Sequence, residues 1–264
     1  MPIANGDASA APVIIWTLQR SGGTNFANRL ARLTSSKKFH HEPFNKQRTF
    51  GHVTRAWLEA AASPSRDHQL RDAMDETLAT GVNVKHCVEM MPIEISRALA
   101  EASVRKGYRH LVLYRRSIVD RLMSLYFARQ TGIWGPGSAS EADKETLERP
   151  LPDVPVADLV KHEEMCVRHL RAIEEHLRAL RLPYFALSFE QIYDAEHPAA
   201  ATAVLAGALA SIGVKLSEEE FAKWSQSVRE SGEQGTKARY LAAPGYETLA
   251  ARVRDVTPYA PMGD

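Results

Sequence analysis

Short apolar runs alternate along this chain with longer segments of helical periodicity. Residues 13–17 form a short β-branched run, the pattern of a buried parallel strand. Residues 38–44 are predicted to form a second short strand and its exit loop, and residues 81–87, 108–114 and 183–188 are predicted to form three further strands. Apolar spacing near 3.6 predicts helices over residues 25–33, 53–62, 67–79, 92–105, 118–130 and 156–180, with shorter helices over 189–228. This alternation predicts an α/β protein with a doubly wound parallel sheet flanked by helices.

The two ends and one internal stretch break this pattern. Residues 1–12 read as a flexible leader, and we expect one domain over 13–264. Residues 131–155 are rich in Gly, Pro, Ser and Glu, which predicts a mobile loop over the acceptor side of a site, with Trp134 as its aromatic contact. The glycine-containing tail from Arg229 onward is expected to be mostly irregular.

Composition narrows the class of partner. Net charge is 33 − 32 = +1, so no overall basic field indicates nucleic acid, and any anion site must be local. The two cysteines, Cys87 and Cys166, form neither a CxxC pair nor a zinc-ligand set, and they suit a reducing compartment. No apolar stretch approaches 18 residues. We therefore expect no transmembrane segment and a cytoplasmic location.

A glycine-rich turn joins the first predicted strand to the first helix. Such a turn presents unpaired backbone N–H groups at a helix N-terminus, where anions bind. Arg20 adds a forked cation, Gly22 and Gly23 allow close approach, and Ser21 and Thr24 add hydroxyls. The kinase-type loop GxxxxGK[ST] is absent, because Gly23 and not lysine precedes Thr24. A plain βα turn with a surface arginine remains the alternative.

A second candidate anion site follows the fourth predicted strand. Arg116 lies at the strand end, and Ser124 follows eight residues later in the next helix. Helical geometry brings that hydroxyl back toward the carboxyl edge of the sheet. Arg115 and Arg121 are neighbouring cations. The alternative is a solvated basic turn and an ordinary helix serine.

Together, in this order, the two motifs resemble the sulfotransferases that use 3′-phosphoadenosine 5′-phosphosulfate (PAPS). The segment Arg20-Ser21-Gly22-Gly23-Thr24 resembles the family's (K/R)SGTT loop, and Arg116 with Ser124 resembles its 3′-phosphate site. Ile118 stands where the family has proline. Weaker likenesses are the "SYEDL"-like run 188–192 and the tail around 245–259, which resembles bacterial sulfotransferases of glycolipids and saccharides. The resemblance covers residues 13–260.

This resemblance implies a P-loop-like sulfotransferase fold, PAPS as co-substrate without a metal, and a hydroxyl acceptor on a carbohydrate or glycolipid. It implies that the phosphosulfate binds Arg20, Ser21, Gly22, Gly23, Thr24 and Asn25, the 3′-phosphate binds Arg116 and Ser124, and Lys237 and Arg239 close over the nucleotide. Glu42 corresponds to the catalytic base and would need a pKa raised by burial, with His41 as the alternative base.

Several alternatives stay open. Lys85 could approach the sulfate, and His86 is expected in a loop or at the acceptor. Phe44 could stack on adenine or sugar, whereas core packing is the default for Trp16. The rival functions are a P-loop kinase of small molecules and a non-catalytic nucleotide-binding protein of the same fold. The acceptor is a small molecule or saccharide of unspecified identity, and a homodimer is one open assembly.

Overall fold

The computed structural model describes residues 11–134, 150–193, 196–230 and 241–262. All five predicted strands form, and they pair in parallel into one sheet of order β2-β3-β1-β4-β5. Their bounds are β1 Val13–Thr17, β2 Phe39–His41, β3 Asn83–Cys87, β4 Arg109–Tyr114 and β5 Tyr184–Ser188. The predicted class, a P-loop-like doubly wound parallel sheet flanked by helices, is confirmed.

Ten α-helices lie in the described ranges, and most begin within two residues of their predicted starts. They are α1 Gly23–Ala31, α2 Gly51–Glu59, α3 Arg66–Ala79, α4 Ile93–Arg105, α5 Ile118–Thr131, α6 Val156–Ala179, α7 Phe189–Tyr193, α8 Pro198–Ser211, α9 Glu218–Glu230 and α10 Tyr246–Arg252. Two short 3-10 helices follow β3 and α10, at Val88–Met90 and Val253–Asp255. No helix within these ranges is both long and apolar enough to cross a bilayer.

Alternate residues of the central strand point to opposite faces of the sheet, and both faces are covered. Ile14 and Trp16 pack with α2, α3, α4 and α6, whereas Val13 and Ile15 pack with α1, α8 and α9. All four side chains are fully buried. A strand buried on both faces reads as a continuous apolar run, which explains why β1 could be located from sequence alone.

Chain topology sets the place of a site. From β1 the chain passes to β2 and β3 on one side of β1, and it then crosses to β4 on the other side. The loops that leave the carboxyl ends of β1 and β4 therefore diverge, and ligands of open α/β sheets bind in the crevice at such a point. Both candidate anion motifs lie there.

Two expectations about the chain were wrong. The tail was expected to be irregular, yet it forms α10, because Leu249 and Val253 pack against Leu122 of α5 and Leu159 of α6. His86 was expected in a loop or at an acceptor, yet it lies inside β3, fully buried, with its ring hydrogen-bonded to the Ser96 hydroxyl at 2.8 Å.

Aromatic residues with proposed stacking roles fall into two groups. Trp16 is in the core, where its indole N–H donates to His110. Phe44 is also fully buried, so the expectation that it stacks on a ligand was wrong. Trp134 is 46% exposed and remains accessible to a ligand. Residues 135–149, the middle of the loop predicted over 131–155, lie outside the described residues, as does most of the predicted leader.

Candidate anion-binding site

The loop between β1 and α1 has an unusual backbone. Arg20 has φ 67° and Gly22 has φ 80°, so two residues separated only by Ser21 lie in the left-handed region. A Cβ on Gly22 would meet the Phe189 ring at 2.8 Å, and glycine is therefore required there. A left-handed arginine costs on the order of 1–3 kcal/mol, which the surrounding structure must compensate.

Ser21 lies at the centre of this loop. Its side chain is fully buried, and its hydroxyl has no hydrogen-bond partner among the described residues. A buried polar group left without a partner costs roughly 1–3 kcal/mol. Because the adjacent helix N-terminus favours negative charge, the unpartnered hydroxyl fits an oxyanion ligand.

Two charged side chains, partly buried Glu89 and fully buried Arg121, hold the residue immediately before Arg20. The Glu89 Oε1 atom accepts the Gln19 backbone N–H at 2.6 Å, and the Arg121 guanidinium donates to the Gln19 carbonyl at 3.2 Å. Arg121 is itself fully buried and paired with buried Glu163. Burial raises the pKa of Glu89, against the opposing effects of the Gln19 N–H and the Arg121 charge. Gln19 is thus fixed on both its backbone donor and its acceptor.

Arg20 reaches across the crevice to the second motif. Its Nε donates to the Ser124 hydroxyl at 2.9 Å, and its Nη1 donates to the Trp134 carbonyl at 2.5 Å. Arg115 donates in turn to the Arg20 carbonyl at 3.3 Å and lies 4.4 Å above the Phe189 ring. The structure therefore joins the loop after β1 to the helix after β4.

Arg116 lies at the outer side of this crevice. The Glu190 carboxylate accepts the backbone N–H groups of Arg116 and Ser117 at 2.9 and 3.0 Å, and it lies 3.7 Å from the Arg116 Nε. The Arg116 side chain is 58% exposed, whereas Ser124 is buried against Arg20. That Arg116 and Ser124 share one phosphate stays a prediction.

Glu42 and Lys85 form a second charged pair in contact with the loop. The Lys85 ammonium is paired with the Glu42 carboxylate and donates to the Thr24 hydroxyl at 3.2 Å. The Cys87 thiol donates to the same Glu42 oxygen that pairs with Lys85, at 3.2 Å. Burial opposes ionisation of Glu42, but the Lys85 charge and these hydrogen bonds outweigh it and lower the pKa of Glu42. The expectation of a raised pKa was wrong, because the lysine partner had not been foreseen.

His41 precedes Glu42 and contacts α1 through Asn28. Its Nε2 lies 2.9 Å from the Asn28 side-chain oxygen, so Nε2 is the protonated nitrogen when that oxygen accepts. The remaining lone pair, on Nδ1, is buried and has no partner among the described residues. Burial, followed by the Lys85 charge, lowers the pKa of His41 to about 4. The imidazole is therefore neutral at pH 7, with its basic nitrogen shielded.

The remaining predicted site residues divide between other structural contacts and undescribed segments. The Asn25 amide donates to the Tyr193 hydroxyl at 2.8 Å and the Val228 carbonyl at 3.1 Å, which ties α1 to α7 and α9. Lys237 and Arg239 lie outside the described residues. Within the described ranges, no cluster of three or more His, Cys, Asp or Glu side chains could hold a metal ion.

Sequence reasoning gave Lys85 only a minor role and missed Glu89. Lys85 is the one charged residue in the five-residue strand β3. Because a buried lysine needs an oppositely charged partner, its position in a predicted strand could have indicated a charge pair at this site. Glu89 follows β3 by two residues at the ligand edge of the sheet. No pattern in the local sequence shows that its carboxylate reaches Gln19.

Fold and site define an α/β protein with a parallel sheet and a candidate anion-binding loop after its central strand. No protein-family profile and no curated protein matches the chain. A structure of retinol dehydratase in complex with retinol and PAP is similar with TM-score 0.41 and 16% identity, over 88% of this chain and 68% of that chain. One from the PezAT chromosomal toxin–antitoxin system of Streptococcus pneumoniae gives 0.31 and 12%, over 84% and 86%. With both TM-scores below 0.5, these likenesses say nothing about the chemistry of the site.

Proposed function

We propose that this protein is a sulfotransferase that moves the sulfuryl group of PAPS to a hydroxyl of a carbohydrate or glycolipid-like acceptor. The observation that carries the proposal is the β1–α1 loop, with its buried unpartnered Ser21 hydroxyl and left-handed backbone at Arg20 and Gly22. The loop lacks the lysine that a P-loop kinase places before its Ser or Thr. Its cations come instead from Arg20 and, through β3, from Lys85.

Binding of the donor is assigned to fixed N–H and hydroxyl groups. The loop from Arg20 to Thr24 would hold the 5′-phosphosulfate, with the Ser21 hydroxyl gaining the partner it lacks. Arg116 and Ser124, at the neighbouring strand end, would hold the 3′-phosphate. For Arg116 to do so, its guanidinium must turn from the Glu190 carboxylate, which its 58% exposure permits.

Transfer needs an in-line acceptor oxygen and a group that takes its proton. PAPS supplies the sulfuryl group: the acceptor oxygen bonds to sulfur while the bond from sulfur to the phosphate oxygen breaks. Glu42 takes the hydroxyl proton. Arg20 and the loop N–H groups stabilise the charge that develops on the leaving phosphate oxygen. Groups already fixed in the folded protein need little reorganisation during this step.

Glu42 is better placed than His41 to act as the base, because its carboxylate is more accessible to an acceptor hydroxyl. The Glu42 side chain keeps 17% of its surface exposed, whereas the lone-pair nitrogen of His41 is buried. The pKa of Glu42, lowered by Lys85, keeps the carboxylate ionised at neutral pH but makes it a weaker base than a carboxylate of raised pKa. Lys85 contacts both Glu42 and Thr24, so it would hold the base at a fixed distance from the loop.

The proposal is tested by nucleotide selectivity. Adenosine 3′,5′-bisphosphate should bind and raise the melting temperature, because it binds the folded state alone. Adenosine 5′-monophosphate should bind at least tenfold more weakly in calorimetry, and Arg116→Ala should remove most of that difference. Arg105→Ala, which removes a surface ion pair with Asp75, is the control. Equal affinity for the two nucleotides, or tighter binding of ATP with Mg²⁺, would reject the PAPS assignment.

A further inference from the structure

A cavity lies beside the β1–α1 loop, between α1 and the edge strand β2. Its volume is about 590 Å³, within the range of small-molecule sites. Thr24 and Asn28 of α1 line one wall, and His41 of β2 lines another. Arg32, Lys37 and Lys38 also line it, and because Arg32 follows the last residue of α1, we call this the far end. Apart from Thr24, which also belongs to the β1–α1 loop, none of these residues is assigned to donor binding.

The charge at the far end is positive and is not neutralised within the cavity. Three of the lining residues are cations, and none is an aspartate or glutamate. The Lys37 ammonium donates to the Arg32 carbonyl at 3.1 Å, a helix-capping role, whereas Arg32 and Lys38 are exposed at the cavity. Glu42, the acid nearest in sequence, is paired with Lys85. Arg48 adds positive charge, since it contributes to lowering the pKa of His41.

The cavity joins the reaction site at Thr24. This residue lines the cavity and also accepts a hydrogen bond from Lys85, which holds Glu42. Thr24 lies in the first turn of α1 and Arg32 directly follows its last residue, which corresponds to a rise of about 12 Å along the helix axis. A molecule in the cavity can therefore reach the reaction site at one end and the cations at the other.

We propose that this cavity binds the acceptor and that the acceptor carries an anionic group, a phosphate or carboxylate, about 12 Å from the hydroxyl that is sulfated. That the ligand of this cavity is the acceptor rests on the proposed function, whereas the binding of an anionic group by these cations does not. Arg32 and Lys38 contact the anionic group, and Thr24 marks the reacting end. A neutral sugar of the same size forms the same contacts at the near end but leaves these cations without a partner.

The test compares maltose 1-phosphate with maltose by calorimetry, with and without saturating adenosine 3′,5′-bisphosphate. Wild-type protein should bind the phosphorylated probe at least tenfold more tightly. The double variant Arg32→Gln/Lys38→Gln should abolish that preference and leave nucleotide affinity unchanged. The matched control is Arg105→Gln/Lys106→Gln, which removes an exposed Arg and Lys at the end of α4 and should keep the preference.

The outcomes separate the two proposals. If the nucleotide binds but wild type binds both sugars equally, or the double variant keeps the preference, the inference is overturned and the proposed function stands. If the preference appears without any nucleotide binding, the anion site stands and the proposed function falls. Vesicles of phosphatidylinositol in phosphatidylcholine, compared with phosphatidylcholine alone, show whether the anionic group belongs to a lipid headgroup; binding that requires Arg32 and Lys38 again supports the site.

Discussion

Replacing Lys85 by methionine removes the ammonium between Glu42 and Thr24 but keeps an unbranched side chain that is only one heavy atom shorter. Lys85 is 6% exposed and Glu42 is 17% exposed, so water replaces little of the lost interaction. Removing one partner of such a buried pair costs about 3–5 kcal/mol. We expect Lys85→Met to lose that much unfolding free energy at pH 7.5, and the double variant Glu42→Gln/Lys85→Met to recover part of it.

The dependence on pH makes this prediction specific. In the wild type the folded-state pKa of Glu42 is lowered, so its stabilising contribution is present above its ordinary value of 4.5 and is lost as pH falls through the folded pKa. Without the ammonium, burial raises that pKa, so the carboxylate destabilises the fold as pH rises above 4.5. The deficit of Lys85→Met should therefore be smaller at pH 5 than at pH 7.5.

The assay is urea unfolding followed by tryptophan fluorescence at both pH values. Lys106→Met, at an exposed position after α4, is the control and should unfold like wild type. A deficit of the same size at both pH values would refute the reasoning, because the loss would then come from packing and not from an unpaired carboxylate. A double variant no more stable than Lys85→Met at pH 7.5 would refute it as well.

Three further predictions follow from the site and the core. Glu42→Gln should lower turnover about 10²–10⁴-fold with nucleotide affinity kept, whereas His41→Ala should cost less; steady-state kinetics that reverse this order would move the base to His41. Glu89→Leu leaves the Gln19 N–H without its acceptor and should weaken adenosine 3′,5′-bisphosphate binding about tenfold in calorimetry, since such a bond is worth roughly 1.5–3 kcal/mol; unchanged affinity would show that Arg121 alone holds the loop. Burial lowers the pKa of His86 and His110 to about 4 from the ordinary value of 6.5. As pH falls from 7 to 5 the unfolded chain therefore binds protons at these residues that the folded protein does not, and the urea concentration at the unfolding midpoint should fall. A midpoint that does not change over this pH range would contradict their burial as neutral rings.

The elements of the central sheet could be predicted because their signal is local. The strand Val13–Thr17 is buried on both faces and is apolar except for Thr17, which is the pattern expected of a central parallel strand. The α10 helix escaped prediction because its apolar residues are few and Gly245 and Pro244 precede it. Packing of Leu249 against α5 and α6 stabilises this helix, and a contact between residues so far apart in the chain cannot be predicted from the local sequence.

The candidate site was predictable in its loop but not in its charge pairing. Glycines and an arginine between a strand and a helix indicate an anion loop without further information. The pairing of Glu42 with Lys85 depends on the register of β2 against β3, which sets His41 opposite Lys85 and bonds the Glu42 N–H to the Lys85 carbonyl at 2.8 Å. Register between strands more than 40 residues apart is a property of the whole sheet, and with it came the reversed pKa shift of Glu42.

The most direct test of sulfuryl transfer is to incubate the purified protein with PAPS that carries a radiolabelled sulfate and with fractionated carbohydrate and glycolipid acceptors. Wild type should move the label to an acceptor and release adenosine 3′,5′-bisphosphate in equal amount. Glu42→Gln should bind the nucleotide but transfer little label. Tight binding of adenosine 3′,5′-bisphosphate without transfer to any fraction would identify a non-catalytic nucleotide-binding protein, and transfer of phosphate from ATP with Mg²⁺ would identify a kinase; either result would contradict the account.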